Sequence, residues 1–286
     1  MLNYKNESID IVSDWLELSS IAFGGKPLSV SRAKEIGADY AQIQPIQVEQ
    51  AFNNLKGRSQ KLGKKYPFNV TGDYLLALPG AEYTSYGAML VVSPISPGRN
   101  QTHWSQDSGA KLFELVAENC LKSFFGAGTR TANFGHPSTI GRPPQFNLAV
   151  KWIADKLNVK VGSGYRQPRR KDGGVDIFVW KEFPDGNPGT PLALIQCTIQ
   201  KQFTDKVGDV DLKLWSSWLS SDLDPMVGLC VPEVVVKSEV WDEITTRGIL
   251  LDRMRLVGMQ MEEPSLSPAE KAFIKQVIDG YVEDIK

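Results

Sequence analysis

The second half of the chain contains three short apolar runs, at 174–180, 192–200 and 227–236, each bounded by residues that favour turns. Runs of this length and composition predict buried β-strands. Helical stretches surround them at 111–125, 147–157, 210–219, 241–247 and from residue 268 onward, and one more short strand is predicted at 248–251. Helices and strands in this order predict an α/β fold in which helices pack on a mixed central sheet.

The chain has 286 residues, which is the length of one large domain or of two average ones. A segment rich in proline, glycine and serine, at 93–100, is the best candidate boundary. We therefore predict a mostly helical α+β domain at 1–95, with a role in recognition or partner binding, and a second domain at 100–286.

The predicted first domain has a recognisable outline. Helical stretches at 8–22, 29–40 and 44–62 precede two strand-like runs at 74–78 and 88–93. Three helices and a two-stranded ribbon resemble a winged helix, a module that commonly reads DNA. Many small domains that only pack against a partner have the same outline, so both interpretations stay open.

Composition excludes several classes of protein. Hydrophobic residues make up 42% of the chain and charged residues 23%, as in ordinary globular proteins and unlike disordered or collagen-like chains. Three cysteines and two histidines are too few and too scattered for a disulfide framework or a zinc site. No apolar run reaches the length of a membrane span, and the first residues lack an apolar signal core. We expect a reducing, cytoplasmic setting and no membrane partner.

Charge is distributed unevenly along the chain. The net charge of the whole chain is −1, whereas residues 121–171 carry +9 and residues 222–286 carry −6. A one-sided basic segment indicates a polyanionic partner such as DNA. A solvated basic face balanced by the acidic C-terminal region, or a docking surface for an acidic protein, would give the same pattern. The basic residues closest to the motif described next are Arg166, Arg169, Arg170 and Lys171.

Polar side chains interrupt two of the predicted strands. Asp172 and Asp176 flank a glycine turn at the start of the first, and Gln196, Thr198 and Gln200 share one face of the second. Polar groups in a row on an apolar strand indicate a wet cleft, a hydrogen-bonded network or a bound ion. A carboxylate and an amide oxygen, joined by a glutamate from the preceding helix, would suit Mg²⁺ or Mn²⁺.

These segments resemble the PD-(D/E)XK (restriction-endonuclease-like) superfamily in its Mrr-like branch. That branch reads F-E on a first helix, D-G-G-x-D at a strand, and then (I/V)-Q-x-K. This chain has Phe113-Glu114, Asp172-Gly-Gly-Val-Asp176 and Ile195-Gln-Cys-Thr198, followed by a leucine, aspartate and arginine segment at 249–253. The resemblance covers residues 108–258 and implies a restriction-endonuclease-like mixed-sheet core.

The resemblance also implies a function and a set of site residues. It implies a Mg²⁺-dependent or Mn²⁺-dependent DNA endonuclease, serving as a nuclease component of prokaryotic defence against foreign DNA, with possible further subunits or a homo-oligomer. The metal ligands would be Glu114, Asp176 and Gln196, and Asp172 would shape the turn. The basic residues Arg166, Arg169, Arg170 and Lys171 would hold the DNA backbone.

The chain departs from the motif at its lysine, because Thr198 stands in that position. The nearest replacement is Lys201, which we predict as the fourth catalytic residue. Strict alternation along the strand places it on the opposite face from Gln196, so a bulge or the end of the strand must turn it. Lys206 and Lys213 are further options. The alternative is a nuclease fold that has lost its chemistry and binds nucleic acid or a partner protein.

Overall fold

The computed structural model describes residues 8–96, 99, 104–136, 141–164, 166–168, 170–187 and 189–285. The helices are α1 Ile9–Ala22, α2 Val30–Ala41, α3 Pro45–Leu62, α4 Ser85–Val92, α5 Gln106–Leu121, α6 Phe146–Leu157, α7 Leu212–Trp218, α8 Glu239–Thr245, α9 Arg253–Met259 and α10 Pro268–Ile285. The strands are β1 Leu28–Ser29, β2 Phe68–Val70, β3 Tyr74–Ala77, β4 Thr129–Asn133, β5 Lys160–Val161, β6 Ile177–Lys181, β7 Leu192–Cys197, β8 Leu219–Ser220, β9 Met226–Cys230 and β10 Ile249–Leu251. Mixed α/β architecture is thereby confirmed.

A five-stranded sheet forms the centre of the second half, in the order β10-β9-β7-β6-β4. The pairs β4·β6 and β6·β7 are antiparallel, whereas β7·β9 and β9·β10 are parallel, so the sheet is mixed. The strands β6 and β7 are apolar on both faces because helices cover both. Ile177 and Val179 point into the core that contains α5, and Phe178 and Trp180 point into the core that contains α6 and α7.

Residues 8–77 form a second, smaller sheet among three helices. Its strands are antiparallel and lie in the order β1-β3-β2. The predicted strand at 88–93 is wrong, because residues 88–92 belong to α4 and Ser93 caps its end. A short run that is apolar on every side fits a buried helix as well as a buried strand. Thr84 decides the outcome locally, since its hydroxyl accepts from the Gly87 amide at 3.1 Å and caps the helix.

One continuous core connects the ranges 1–95 and 100–286, which the sequence predicts as two domains. The helices α1, α3, α4, α5, α9 and α10 all contribute buried side chains to it. Across this core Arg253, at the start of α9, forms ion pairs with Asp14 and Glu17 of α1. Arg58 of α3 pairs with the same two carboxylates. No helix among the described residues is both long and apolar enough to cross a membrane.

Candidate metal-dependent active site

A cleft of about 160 Å³ opens where the turn before β6 meets the C-terminal end of β7. The polar residues that line it come from four separate segments of the chain. They are Gln106, Arg170, Asp172, Asp176, Gln196, Thr198, Gln200 and Lys206. The fold therefore gathers at one place residues that are up to a hundred positions apart.

Asp176 is fixed at the floor of this cleft by its backbone and by its side chain. Its amide donates to the Ile195 carbonyl at 2.9 Å, and its carbonyl accepts from the amides of Phe134 and Gly135. The Oδ2 atom accepts from the Cys197 amide at 2.7 Å. These bonds link it to β7 and to the segment after β4, so the carboxylate has a defined position. The turn before it is closed by Asp172, whose Oδ1 accepts from the Gly174 amide at 2.8 Å.

Glu114 reaches the same place from α5. Its Oε2 accepts from the Asn133 side-chain amide at 3.4 Å, at the end of β4. Gly135 marks the point on which the two carboxylates converge. A Cβ atom there would lie 3.3 Å from Glu114 Oε2 and 3.4 Å from Asp176 Oδ1. A side chain would thus occupy the space between them, and the glycine keeps that space open.

The electrostatics of the two carboxyl groups are unfavourable in the protein alone. Burial raises the pKa of Asp176 well above its ordinary value, and the neighbouring Glu114 raises it further. Burial also raises the pKa of Glu114, and the nearby Asp172 adds to this rise. Among the described residues, no lysine or arginine forms an ion pair with either group. A cation placed between them would reverse both effects.

Gln196 adds an oxygen without a partner. Its Nε2 donates to Asp209 Oδ2 at 3.1 Å, which fixes the orientation of the amide. Its Oε1 is buried and receives no hydrogen bond within the described structure. A buried acceptor without a donor costs about 1–3 kcal/mol, so such atoms in native proteins point to a ligand, an ion or a water. Among the described residues, no group of three His, Cys, Asp or Glu side chains is placed to hold a metal ion. The candidate ligands are instead two carboxylates, Glu114 and Asp176, and the side-chain amide of Gln196.

Asp209 organises the outer part of the cleft, a role that the sequence does not suggest. Its Oδ2 accepts from Gln196, pairs with Arg170 at 2.8 Å and lies 3.7 Å from Lys206 Nζ. Asp209 is the last residue of a short 3-10 helix, Thr204–Asp209. In the sequence it is one of several aspartates without a recognisable metal-binding pattern, and only tertiary contacts single it out.

The structure places the candidate lysines differently from one another. Thr198, which stands at the position of the motif lysine, lines the cleft. Lys206 lines the same cleft from the segment that follows β7. Lys201 is exposed and acts electrostatically on Glu233, whose pKa burial raises to about 8. The catalytic role of Lys201 stays a prediction, while Lys206 is the lysine that lies beside Gln196 and Asp209.

The predicted DNA-binding residues continue the cleft outward. Arg170 also lines an adjoining cleft of about 310 Å³, together with Arg166 and Asp209. Lys171 is exposed, and its carbonyl accepts from the Arg142 guanidinium at 2.8 Å. Arg169 lies outside the described residues. Arg170 therefore borders the cleft that contains Asp176, whereas Arg166 lies in the adjoining cleft.

Comparison with known proteins found no matching family model, no matching curated protein and no matching solved structure. The resemblance to the restriction-endonuclease-like superfamily therefore depends on the motifs in the sequence. The architecture that accompanies them is a mixed five-stranded sheet with helices on both faces.

Proposed function

We propose that this protein is a metal-dependent nuclease of restriction-endonuclease-like fold that hydrolyses DNA phosphodiester bonds. The observation that carries the proposal is the convergence of Glu114 and Asp176 on Gly135, at a cleft that Asp176 shares with Gln196, whose buried Oε1 has no partner among the described residues. Three oxygen donors of this kind fit Mg²⁺ or Mn²⁺, which prefer few protein ligands and retain water or phosphate oxygens as the others.

In this proposal Glu114, Asp176 and Gln196 hold the metal ion. A bound ion would polarise the phosphodiester and lower the pKa of the attacking water. The amide of Cys197 and the side chain of Asn133 keep the two carboxylates in place. Gly135 leaves room for the ion between them.

The remaining cleft residues act on the substrate. Lys206 takes the place of the motif lysine and stabilises the negative charge that develops on the phosphate. Arg170 and Arg166 bind the phosphate backbone along the adjoining cleft, where their charge contributes affinity without base preference. Asp209 positions Gln196, Arg170 and Lys206 together. By its family resemblance, the enzyme would act in prokaryotic defence against foreign DNA.

The second candidate function is a nucleic-acid-binding or partner-binding subunit without catalysis. Thr198, in the position of the motif lysine, favours it. The two candidates predict the same salt-sensitive binding of DNA. They differ in whether a divalent metal ion is required.

The experiment that separates the candidates uses supercoiled and linear plasmid with Mg²⁺, Mn²⁺ or EDTA. We expect metal-dependent nicking by the wild-type protein, and a loss of at least about 10³-fold in Asp176→Ala, because the central ligand is gone. The matched control is Glu118→Gln, one helical turn from Glu114, where the carboxylate accepts from Thr131. Equal activity in wild type and Asp176→Ala would refute the proposed site, and DNA binding without any cleavage would favour the second candidate.

A further inference from the structure

The first eighty residues have the topology of a winged helix. The order along the chain is α1, β1, α2, α3, β2, β3, and the three strands form one antiparallel sheet with β3 in the middle. Three residues, Gln42 to Gln44, join α2 to α3, and Gln42 takes the left-handed conformation that ends α2. In helix-turn-helix modules a turn of this length places the second helix where it can enter the DNA major groove.

The inner side of α3 is held firmly against α1. Val48, Phe52 and Leu55 are buried in the shared core. Arg58 donates to Asp14 at 2.6 Å and to Glu17 at 3.0 Å, and both carboxylates belong to α1. The helix is therefore rigidly positioned, and its outer side is presented in one fixed orientation.

The outer side of α3 carries side chains that can read base edges. Gln50, Asn53 and Gln60 are exposed and recur at helical spacing, so they form one stripe. Asparagine and glutamine amides can donate and accept at the same base, as bidentate contacts with adenine require. Ile46 is 53% exposed at the start of the same stripe. An apolar side chain there suits contact with a thymine methyl group.

Gly57 lies in this stripe, and the packing of the described residues does not require a glycine there. It lies inside α3, where glycine costs about 1 kcal/mol relative to alanine. A Cβ atom at this position would meet no atom within 4 Å, so packing does not require the glycine. A missing side chain on an outward helix face permits close approach of another molecule.

Basic residues surround the second half of the stripe. Lys56, Lys61 and Lys64 lie on or just after α3, and none of them forms an ion pair with a described residue. The acidic residue on this side of α3 is Glu49, and it is paired with Lys34. The surface therefore combines hydrogen-bonding amides with unpaired positive charge, which is complementary to duplex DNA.

We infer that the outer face of α3 is a second DNA-binding site, which inserts into the major groove and reads sequence independently of the catalytic cleft. Its ligand is duplex DNA, with Lys56, Lys61 and Lys64 on the backbone and Gln50 and Asn53 on base edges. The inference does not depend on the metal site, because none of these residues lies in the cleft.

The test measures binding of the full chain to duplex DNA by fluorescence anisotropy in EDTA, in the Asp176→Ala background. The probe is a labelled duplex of 30 base pairs enriched from a random pool by this protein. We expect Lys56→Glu with Lys61→Glu to weaken binding at least about tenfold and to lower the slope of log affinity against log salt by about two. The charge-matched control is Lys271→Glu with Lys275→Glu on α10, which should bind nearly as the parent does.

Two further variants test base reading and close approach. Asn53→Ala should reduce discrimination between the enriched and a scrambled duplex by about tenfold. Gly57→Ala should raise the Tm by a few degrees, whereas Gly57→Leu should keep the fold and lose affinity for DNA.

The inference would be overturned by unchanged DNA affinity in Lys56→Glu with Lys61→Glu while Arg166→Glu with Arg170→Glu abolishes binding. DNA would then bind only at the cleft, and the α3 face would serve a protein partner or none. The inference would also be overturned if Lys56→Glu with Lys61→Glu lost no more affinity for DNA than the α10 control variant does.

Discussion

Two clusters of charged side chains in this protein, one buried and one half-buried, have opposite compositions. In the arginine-matched cluster, Asp14 and Glu17 of α1 pair with Arg58 and Arg253, and Arg58 also pairs with the partly exposed Asp10, so every carboxylate there has a cationic partner. In the cleft, Glu114 and Asp176 face one another, with no ion pair to a described residue. Both clusters bear the cost of removing charge from water.

We infer that the difference separates a structural cluster from a candidate functional one. Arg58 and Arg253 supply the charge that their carboxylates require, and tyrosine hydroxyls complete the network, since Tyr66 and Tyr86 both donate to Glu17 Oε1. The cleft carboxylates keep a deficit of positive charge, and an ion from solution can fill it. Burial of carboxylates is common to both clusters, and the missing charge balance is what makes the cleft the candidate site.

Breaking the arginine-matched cluster should have the largest effect. Arg253 is completely buried, and its replacement in Arg253→Met leaves the carboxylates of Asp14 and Glu17 undercompensated. We expect a loss of about 3–5 kcal/mol in the free energy of unfolding, measured by urea denaturation. The double variant Arg253→Met with Asp14→Leu should recover part of this loss. A change below about 1 kcal/mol in the single variant would contradict the matched-charge interpretation.

Removing Asp209 should have an intermediate effect. We expect it to change metal affinity and activity rather than folding stability. Asp209→Ala releases Gln196, Arg170 and Lys206 from a shared oxygen. Loss of such an outer partner typically lowers metal affinity or activity by about 10–100-fold. Calorimetric titration with Mn²⁺ reports the metal affinity separately from kcat and KM. Asp205→Asn, in the same 3-10 helix, is the control, and equal Mn²⁺ affinity in both variants would exclude a positioning role.

Removing one cleft carboxylate should have the smallest of these effects. It should raise the free energy of unfolding, whereas Arg253→Met lowers it. Asp176→Asn keeps an acceptor for the Cys197 amide and eliminates a charge that burial disfavours. In EDTA at pH 7 we expect the variant to be more stable than wild type by about 1 kcal/mol.

The same variant should also change how the folding stability depends on pH. The pKa of Asp176 is raised in the folded protein above the ordinary value of 3.8, so folding retains a proton that unfolding releases. Wild-type stability in EDTA should therefore fall as the pH rises from the ordinary value through the raised one, and Asp176→Asn should flatten this slope. Mn²⁺ should stabilise wild type and not the variant. A variant less stable than wild type in EDTA would place Asp176 among structural residues.

Much of the central sheet could be predicted from local sequence. The apolar runs that became β6, β7 and β9 are long enough for strands and too short for typical helices. The strand β4 was missed, because its sequence Thr-Arg-Thr-Ala-Asn has one buried residue and resembles an exposed loop. It lies at the edge of the sheet, where solvent tolerates polar side chains, and yet it supplies Asn133 to the site.

The sequence outline of three helices and a two-stranded ribbon, which leaves a winged helix and a partner-packing domain open, matches the structure in its helices but not in its ribbon. The three helices were expected within a few residues of α1, α2 and α3. The ribbon, however, is formed by β2 and β3, with β1 as a third strand, and not by the run at 88–93. Strands of two to four residues leave little periodicity in a sequence, because their pairing depends on neighbours that are distant along the chain.

Local sequence is enough to predict which residues carry oxygen donors and on which elements they lie: Glu114 on a helix, Asp176 at a strand start and Gln196 within a strand. These positions follow from local propensity and from the two-residue period of strands. Packing of distant elements is needed to bring Glu114 and Asp176 together across Gly135, to place Lys206 in the cleft, and to put Asp209 at its outer wall. Such contacts depend on how the helices and the sheet pack, and burial in that packing is also what shifts the pKa of the carboxyl groups.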